Sequence, residues 1–416
     1  MFSHLVKNSA WLFLARLWTQ VGMALFIILA ARKLGGTGFG EYSFMAAWVV
    51  IGNMLTTFGT DMVLIREIAA GGHHRQLPAA LSLQISLSAL FVTGVFLSTP
   101  YLTFQSFEGV TALRIYSLSL FPLAFFTVFT TVLRGKQQMG AYAVVNILLT
   151  SIQVIAAGIF YFGGFDLVGL AGLLLSTQVI AAILAGILCS VRIPNFWGGW
   201  QFSVQDIFLL VNASAPMALL SGLMILYQRL SPALLPFLFG ALPAGLFSAA
   251  ARVVEVAKVG HIAVFTAIYP VMAQQKSRDI DWFQSFRPEW LVLLGAAALA
   301  SLGMFLLAGP LIGWLFGEEY RPSIPVLKIL AWTLLPYTIN TFLNLAFLAN
   351  GDEPVVLGAL SASLIALASL TLWWGRAAGP QGAAWAVLYA ESIQSAILLF
   401  QATRHLRGTI VITEEA

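Results

Sequence analysis

The chain has very little charge and almost no cysteine. Only 9% of its 416 residues are Asp, Glu, Lys or Arg, against about 25% in ordinary soluble domains. That deficit excludes a soluble enzyme. A single cysteine, Cys189, excludes an internal disulfide and any cysteine-based metal site. The five histidines include the adjacent pair His73–His74, but none are spaced to hold zinc on a helix. The net charge of +4 is scattered, so nucleic-acid binding has no basic patch to stand on. No loop is long enough for a separate soluble domain, and none carries a Ser-His-Asp or paired-carboxylate set. Gly35–Gly40 resembles a phosphate-cradling loop but lacks the Gly-Lys-Ser/Thr ending and follows an apolar run, so it reads as a hairpin. No nucleotide-binding cassette is present, which leaves an ion or substrate gradient as the driving force for any transport. No cofactor is expected.

What the chain does have is apolar length. Apolar residues make up 59% of it. Eight windows of 22 residues or more lack Asp, Glu, Lys and Arg altogether: 76–107, 137–165, 167–191, 207–228, 230–251, 290–317, 329–351 and 354–375. A bilayer span takes about 20 such residues. At that depth every backbone N–H and C=O must be paired internally, which favours helices. The alternating ~10-residue segments of a β-barrel are absent. The fold class predicted is all-α integral membrane, with about twelve spans. They fall near 8–32, 42–66, 79–103, 109–133, 142–162, 167–190, 213–238, 246–271, 290–309, 329–349, 355–375 and 381–402. The first apolar run is too long for a signal-peptide core and reads as a retained span.

Lysine and arginine set the orientation. Eleven of the 21 fall at one set of ends: Lys7, Arg66, Arg75, Arg134, Lys136, Arg192, Lys276, Arg278, Arg287, Arg404 and Arg407. Only Arg32, Lys33, Arg321 and Arg376 fall at the other. Both termini are therefore expected in the cytoplasm.

A repeat divides the chain. Gly35, Gly40, Tyr42, Ser43 and Ala46 recur at an offset of 205 as Gly240, Gly245, Phe247, Ser248 and Ala251. Leu133-Arg134-Gly135 finds a weaker echo in Ala349-Asn350-Gly351. Both echoes fall at corresponding junctions of a six-plus-six layout. An even number of spans per half implies lobes related by a pseudo-two-fold axis along the membrane normal, with substrate between them near the midplane. The expected division is 1–205 for the N-terminal six-helix lobe with its connecting loop, 206–403 for the C-terminal lobe, and 404–416 for a cytoplasmic tail.

Polar groups at bilayer depth cost several kcal/mol unless they face water or a partner, so they mark function. Span one carries Arg16 and, one turn on, Gln20. Span two carries Asn53, Thr56, Thr57, Thr60 and Asp61, a spacing that puts all five on one helical face. Span ten repeats the pattern with Thr333, Tyr337, Asn340, Thr341 and Asn344. Span four has Arg114, span seven Gln228 and Arg229, and span twelve Glu391. Span eight has Arg252, Glu255, Lys258 and His261 at three-residue steps. Plainer readings stand beside these. Arg229 can snorkel to the nearer interface, Arg252 and Glu255 can neutralise each other, and the Asn/Thr faces can be interhelical glue. Several inward polar faces together argue for a hydrated cavity.

The residues Asn8–Trp11, Ala31-Arg32-Lys33-Leu34-Gly35, Phe39-Gly40-Glu41-Tyr42, Gly59-Thr60-Asp61, Arg66-Glu67-Ile68-Ala69 and Leu133-Arg134-Gly135 occur in that order. Gly245-Leu246-Phe247-Ser248-Ala249-Ala250 with Arg252, then Pro270 and Leu315-Phe316-Gly317-Glu318-Glu319-Tyr320, follow in the second half. Together they resemble the polysaccharide flippases of the multidrug/oligosaccharidyl-lipid/polysaccharide exporter superfamily over nearly the whole chain. The resemblance implies a two-lobed transporter of the bacterial inner membrane. It would carry a polyprenyl-diphosphate-linked oligosaccharide to the outer leaflet by alternating access, for lipopolysaccharide-type surface glycans. Membrane lipid, a polysaccharide polymerase and chain-length machinery are the partners it implies. A diphosphate calls for a cationic cavity, and arginine's planar fork suits phosphate oxygens. The candidates for the diphosphate are thus Arg16, Arg229, Arg252 and Lys258. For the glycan they are Gln20, Asn53, Thr57, Thr60, Asn340 and Asn344, and for ion coupling Asp61, Glu255 and Glu391. One departure stands out. Ser231 lies where the family often has an acidic residue, and a serine cannot carry that charge. The rival readings are a multidrug exporter for organic cations, which calls for a carboxylate- and aromatic-lined cavity, and a membrane-embedded polymerase or ligase, which calls for a large outer loop with catalytic Arg or His.

Overall fold

With no water at bilayer depth, a chain this apolar can satisfy its backbone only through local hydrogen bonds, and helix is the result throughout. The computed structural model describes residues 2–71, 76–102, 105–194, 196–198, 200–275 and 287–414; the side chains of 2–14, 259–275, 287, 289 and 405–414 also lie outside the described set. The loops around 72–75 and 276–286, expected to be cytoplasmic, and the side chain of His261 are therefore outside the described residues.

Among those residues there are helices and no strands. In order they are α1 (Phe2–Thr57), α2 (Thr60–Ala69), α3 (Leu77–Ser98), α4 (Phe107–Ser117), α5 (Leu120–Gly135), α6 (Met139–Phe162), α7 (Leu167–Arg192) and α8 (Val204–Phe239). Then follow α9 (Ala241–Gln275), α10 (Arg287–Leu306), α11 (Ala308–Phe316), α12 (Ile324–Ala331), α13 (Leu334–Asn350) and α14 (Glu353–Glu414). Among the described residues, seven helical stretches are long and apolar enough to cross a membrane, or nine with two bent pairs. Two of the seven, α1 and α14, are each two spans merged across a kink, at Gly35 and Gly379. Adding α9, whose charges weaken its apolar signal, brings the total to the expected twelve. The chain is a multi-pass membrane protein.

Its packing fits that medium. Small residues such as Ala30, Ala31, Ala79, Ala80, Ala156, Ala157 and Ala185 are buried, while Leu90, Leu97, Val191, Val292, Leu299 and Trp373 lie open. Between helices in lipid the gain comes from close van der Waals approach, so small side chains belong inside and large apolar ones outside. Gly22 shows the principle: a Cβ there would overlap Thr150 Cγ2 of α6. Beside it Trp18 Nε1 donates to Ser151 Oγ at 3.0 Å.

The chain divides into two compact units, Met1–Ala241 and Leu242–Ala416. The first extends past residue 205 because α8 packs along α1, α2 and α3. Ala47, Ile51 and Ala233 form one such seam, with Leu226 against it. The segment after α7 is no open linker. Phe196 and Trp197 pack edge-on against Phe129, with ring centroids 5.8 and 6.0 Å away, and Trp200 lies 5.8 Å from Phe196.

The repeat is visible in the backbone. Gly35 has φ 65° and ψ −179°, and its counterpart Gly240 has φ 83° and ψ 178°. Only glycine adopts that region without strain, so one unusual corner recurs at both junctions. The weaker echo does not share geometry. Gly351 ends α13 in the left-handed region at φ 80°, whereas Gly135 stays within α5 and Gln137 takes the positive φ of 59°.

Span two departs from the sequence reading. The helical face predicted for Asn53 through Asp61 is broken at Phe58 (φ 50°) and Gly59 (φ 66°). Hydropathy carries no trace of the break, since both residues are compatible with a membrane helix. It lies where α8 comes close: a Cβ on Gly59 would sit 2.8 Å from the backbone nitrogen of Ala218. Gly59→Ala is expected to cost about 1–2 kcal/mol for the left-handed backbone alone, with displacement of α8 in addition. Thermal unfolding in detergent checks this, and a midpoint equal to the parent protein's contradicts it.

Candidate functional site

Each unit has its own polar cluster. In the first, Asp61 lies in the opening turn of α2, where the helix N-terminus favours an acid. Its carboxylate is 3.9 Å from Arg134 Nη1 at the end of α5. Thr60 is fully buried. It donates to the Thr57 carbonyl at 2.7 Å and accepts from Gln84 Nε2 at 2.9 Å. A glycan contact was expected at Thr60, but its hydroxyl is spent on tying α2 to α3. Asn53 and Thr57, on the far side of the break, are half-buried, and Arg16 and Gln20 are exposed on α1. Arg229 is half-buried on α8, with Ser231 buried just beyond it.

Glu41 is one of the family-like residues for which the sequence suggests no role, yet it is buried with two bonds. Its carboxylate accepts from the Ser106 backbone N–H at 2.9 Å and from the Ser106 hydroxyl at 3.0 Å. Ser106 Oγ in turn accepts from Gly109 N at 2.9 Å and so caps α4. The Ser106 capping position, with Glu108 in the first turn, is readable from the sequence; its partner 65 residues earlier is not.

The second unit holds the more concentrated set. On α9, Arg252 Nη1 bonds Glu255 Oε2 at 2.7 Å, with side-chain exposures of 18% and 44%. Two turns after Arg252, Lys258 Nζ lies 4.2 Å from the centre of the Tyr337 ring on α13 and 3.7 Å from Glu391 Oε1 on α14. Glu391 is 4% exposed. Asn340 Nδ2 donates to Glu391 Oε2 at 2.7 Å and to the Glu391 carbonyl at 3.0 Å. Ser395 Oγ donates to Asn340 Oδ1 at 2.8 Å. Asn340, expected as a glycan contact, is buried and bonded to Glu391. Asn344 is half-buried one turn on, and its Oδ1 has no donor among the described residues. Ser395 was not foreseen, although it stands one helical turn from Glu391 and periodicity alone could have found it.

This arrangement has a chemical consequence. All three acids proposed for ion coupling lie beside a basic group: Asp61 by Arg134, Glu255 by Arg252 and Glu391 by Lys258. A carboxylate paired in this way is a poor site for a further cation. Among the described residues no group of three or more His, Cys, Asp or Glu comes together as a metal site.

Comparison with known proteins adds to the geometry. Residues 5–276 match the family model described as polysaccharide biosynthesis protein. A comparison with curated proteins finds no match. Among solved structures the chain is similar to an inward-facing multidrug resistance MATE family transporter of the MOP superfamily. The TM-score is 0.78 at 14% identity, over 94% of this chain and 95% of that one. It is also similar to the lipid II flippase MurJ in an inward closed conformation, with a TM-score of 0.75 at 13% identity, over 96% and 87%. A MOP superfamily transporter from Pyrococcus furiosus, whose binding pocket is described as reversed in polarity, gives 0.65 at 15% identity over 96% of both chains. At such identities the likeness is one of fold: the all-helical membrane fold of that superfamily. The family model spans well over half of the 416 residues, and on that ground the chain belongs to the polysaccharide biosynthesis protein family.

Proposed function

We propose that the protein flips a polyprenyl-diphosphate-linked oligosaccharide across the bacterial inner membrane by alternating access, with both termini in the cytoplasm. The observation that carries this reading is Lys258. Its half-buried ammonium is held over the Tyr337 ring, two turns from Arg252, while the nearby acid Glu391 is closed off at 4% exposure. At this pair the cation is the more open partner and the acid the closed one, which suits an anion. Family membership and the likeness to a lipid II flippase support the same substrate class. Within the first unit, Arg16 on α1 and Arg229 on α8 are further candidates for a phosphate contact. Asn53, Thr57, Gln20 and Asn344 remain for the glycan. Membrane lipid would hold the polyprenyl tail, and a polymerase with its chain-length machinery would receive the product.

The second reading, export of organic cations, is favoured by the likeness to the MATE transporter. Proteoliposomes decide between them. The proposed function expects transfer of a labelled polyprenyl-diphosphate oligosaccharide and none of an organic cation, and the reverse result overturns it. Arg252→Ala should slow transfer about ten- to a hundredfold through loss of one charge-assisted contact. Arg252→Lys should recover only part, because an ammonium lacks the bidentate fork. The double change Arg252→Ala with Glu255→Ala separates binding from pairing. Transfer that stays low at normal protein level supports a substrate contact, and transfer that recovers makes the pair structural.

A further inference from the structure

Lys258 and Glu391 are a charge pair that stops short of a hydrogen bond. Their closest atoms are 3.7 Å apart, beyond the reach of a direct N–H···O contact. The carboxylate is fastened elsewhere, through Oε2 to Asn340 at 2.7 Å, and Asn340 is itself fixed by Ser395 at 2.8 Å. The ammonium makes no hydrogen bond among the described residues. It keeps 22% of its side-chain surface exposed, against 5% for Glu391. Its other contact, the ring of Tyr337, is attractive but directionally loose. Three N–H donors are thus held in place, partly open, beside an acid that attracts them without engaging them.

We infer that Glu391 is an internal counter-anion occupying the field of an anion site centred on Lys258, and that an incoming phosphate takes the ammonium over from it. The inference deepens the proposed function and rests on it for the diphosphate as natural ligand. Asn340 and Ser395 act as positioning residues. They hold the carboxylate back, so that it neutralises Lys258 when the site is empty yet never closes on it. A phosphate oxygen approaching the open side makes the short charge-assisted bonds that Glu391 does not. The contact therefore sets the strength of anion binding in this unit and keeps it moderate, as release on the far side of a membrane requires.

The test measures binding of a sugar-free polyprenyl diphosphate to the full-length purified chain, with phosphatidic acid and phosphatidylcholine as parallel probes. Glu391→Gln removes the charge but keeps an oxygen for Asn340 to donate to, and should bind the diphosphate about tenfold more tightly, because a like charge beside the phosphate is gone. Adding Lys258→Ala to that variant should abolish the gain. Asn340→Ala provides an independent arm: freed of its tether, Glu391 can close on Lys258, and diphosphate binding should weaken several-fold. Unchanged or weaker binding by Glu391→Gln overturns the inference, as does unchanged or tighter binding by Asn340→Ala should Glu391→Gln not accumulate. If the parent protein flips the diphosphate-linked oligosaccharide and Glu391→Gln shows no gain, the inference falls and the function stands. If the gain appears for phosphatidic acid alone, Lys258 and Glu391 remain an anion site and its counter-anion, while the proposed substrate falls.

Discussion

Lys258→Ala is expected to lower the thermal unfolding midpoint of the purified protein far more than Glu391→Gln does. The reason is an asymmetry of burial. Removing Lys258 leaves the Glu391 carboxylate, 4% exposed, without its cation. Breaking a buried pair from one side costs about 3–5 kcal/mol. The 3.7 Å separation and the partial exposure of Lys258 place this pair at the lower end, about 3 kcal/mol. For a unit of this size that is a fall of roughly 6–12 °C. Glu391→Gln instead leaves a cation that is partly solvated and still over the Tyr337 ring. It also keeps the bond from Asn340, so its cost is about 1 kcal/mol. The double change Lys258→Ala with Glu391→Gln should recover most of the loss, since no charge is then stranded. Equal midpoints for Lys258→Ala and the parent protein would mean that the two groups do not interact.

Gly382→Ala is the second change expected to have a large effect. The last two spans meet at Gly379, with φ 56° and ψ −133°, followed by Pro380. The corner is so tight that a Cβ on Gly382 would fall inside the van der Waals shell of the Trp374 carbonyl oxygen, with the Gly375 nitrogen 3.0 Å away. Both are backbone atoms, so no rotamer can relieve the overlap. Overpacking of this kind costs typically 1–3 kcal/mol, and rigid neighbours put this case at about 3 kcal/mol or more. The corner would have to open, shifting Glu391 further along α14. Gly382→Ala should therefore reduce both the amount of folded protein in the membrane and anion binding at Lys258. Normal levels of both would show that the corner yields freely.

How legible these features were in advance depends on how local they are. The spans of α3, α6 and α7 were readable because each charge-free run is a bilayer span long and ends at a polar or glycine signal, such as Gly163-Gly164 or the Asp166 cap of α7. The corners at Gly35 and Gly240 were readable as a repeat. The break at Phe58–Gly59 was not, because it answers to the backbone of α8 at Ala218, far along the chain. The candidate site divided in the same way. That Lys258, Glu391 and Asn340 lie at membrane depth follows from their positions in apolar runs. Which of them meet did not follow, and Thr60 and Asn340 turned out to be interhelical ties.

The amino-acid sequence by itself determined that this is a helical membrane protein with about twelve spans, a doubled architecture and a set of ionisable groups too costly to bury without purpose. It could do so because helix formation in hydrocarbon depends only on neighbours a turn away, and burial cost only on the residue itself. The pairing of Asp61 with Arg134, of Glu41 with Ser106 and of Glu391 with Lys258 and Asn340 was decided by the tertiary structure alone. Side chains bond across helices according to how those helices cross, and the crossing is set by small residues and kinks whose effects add up along the whole chain.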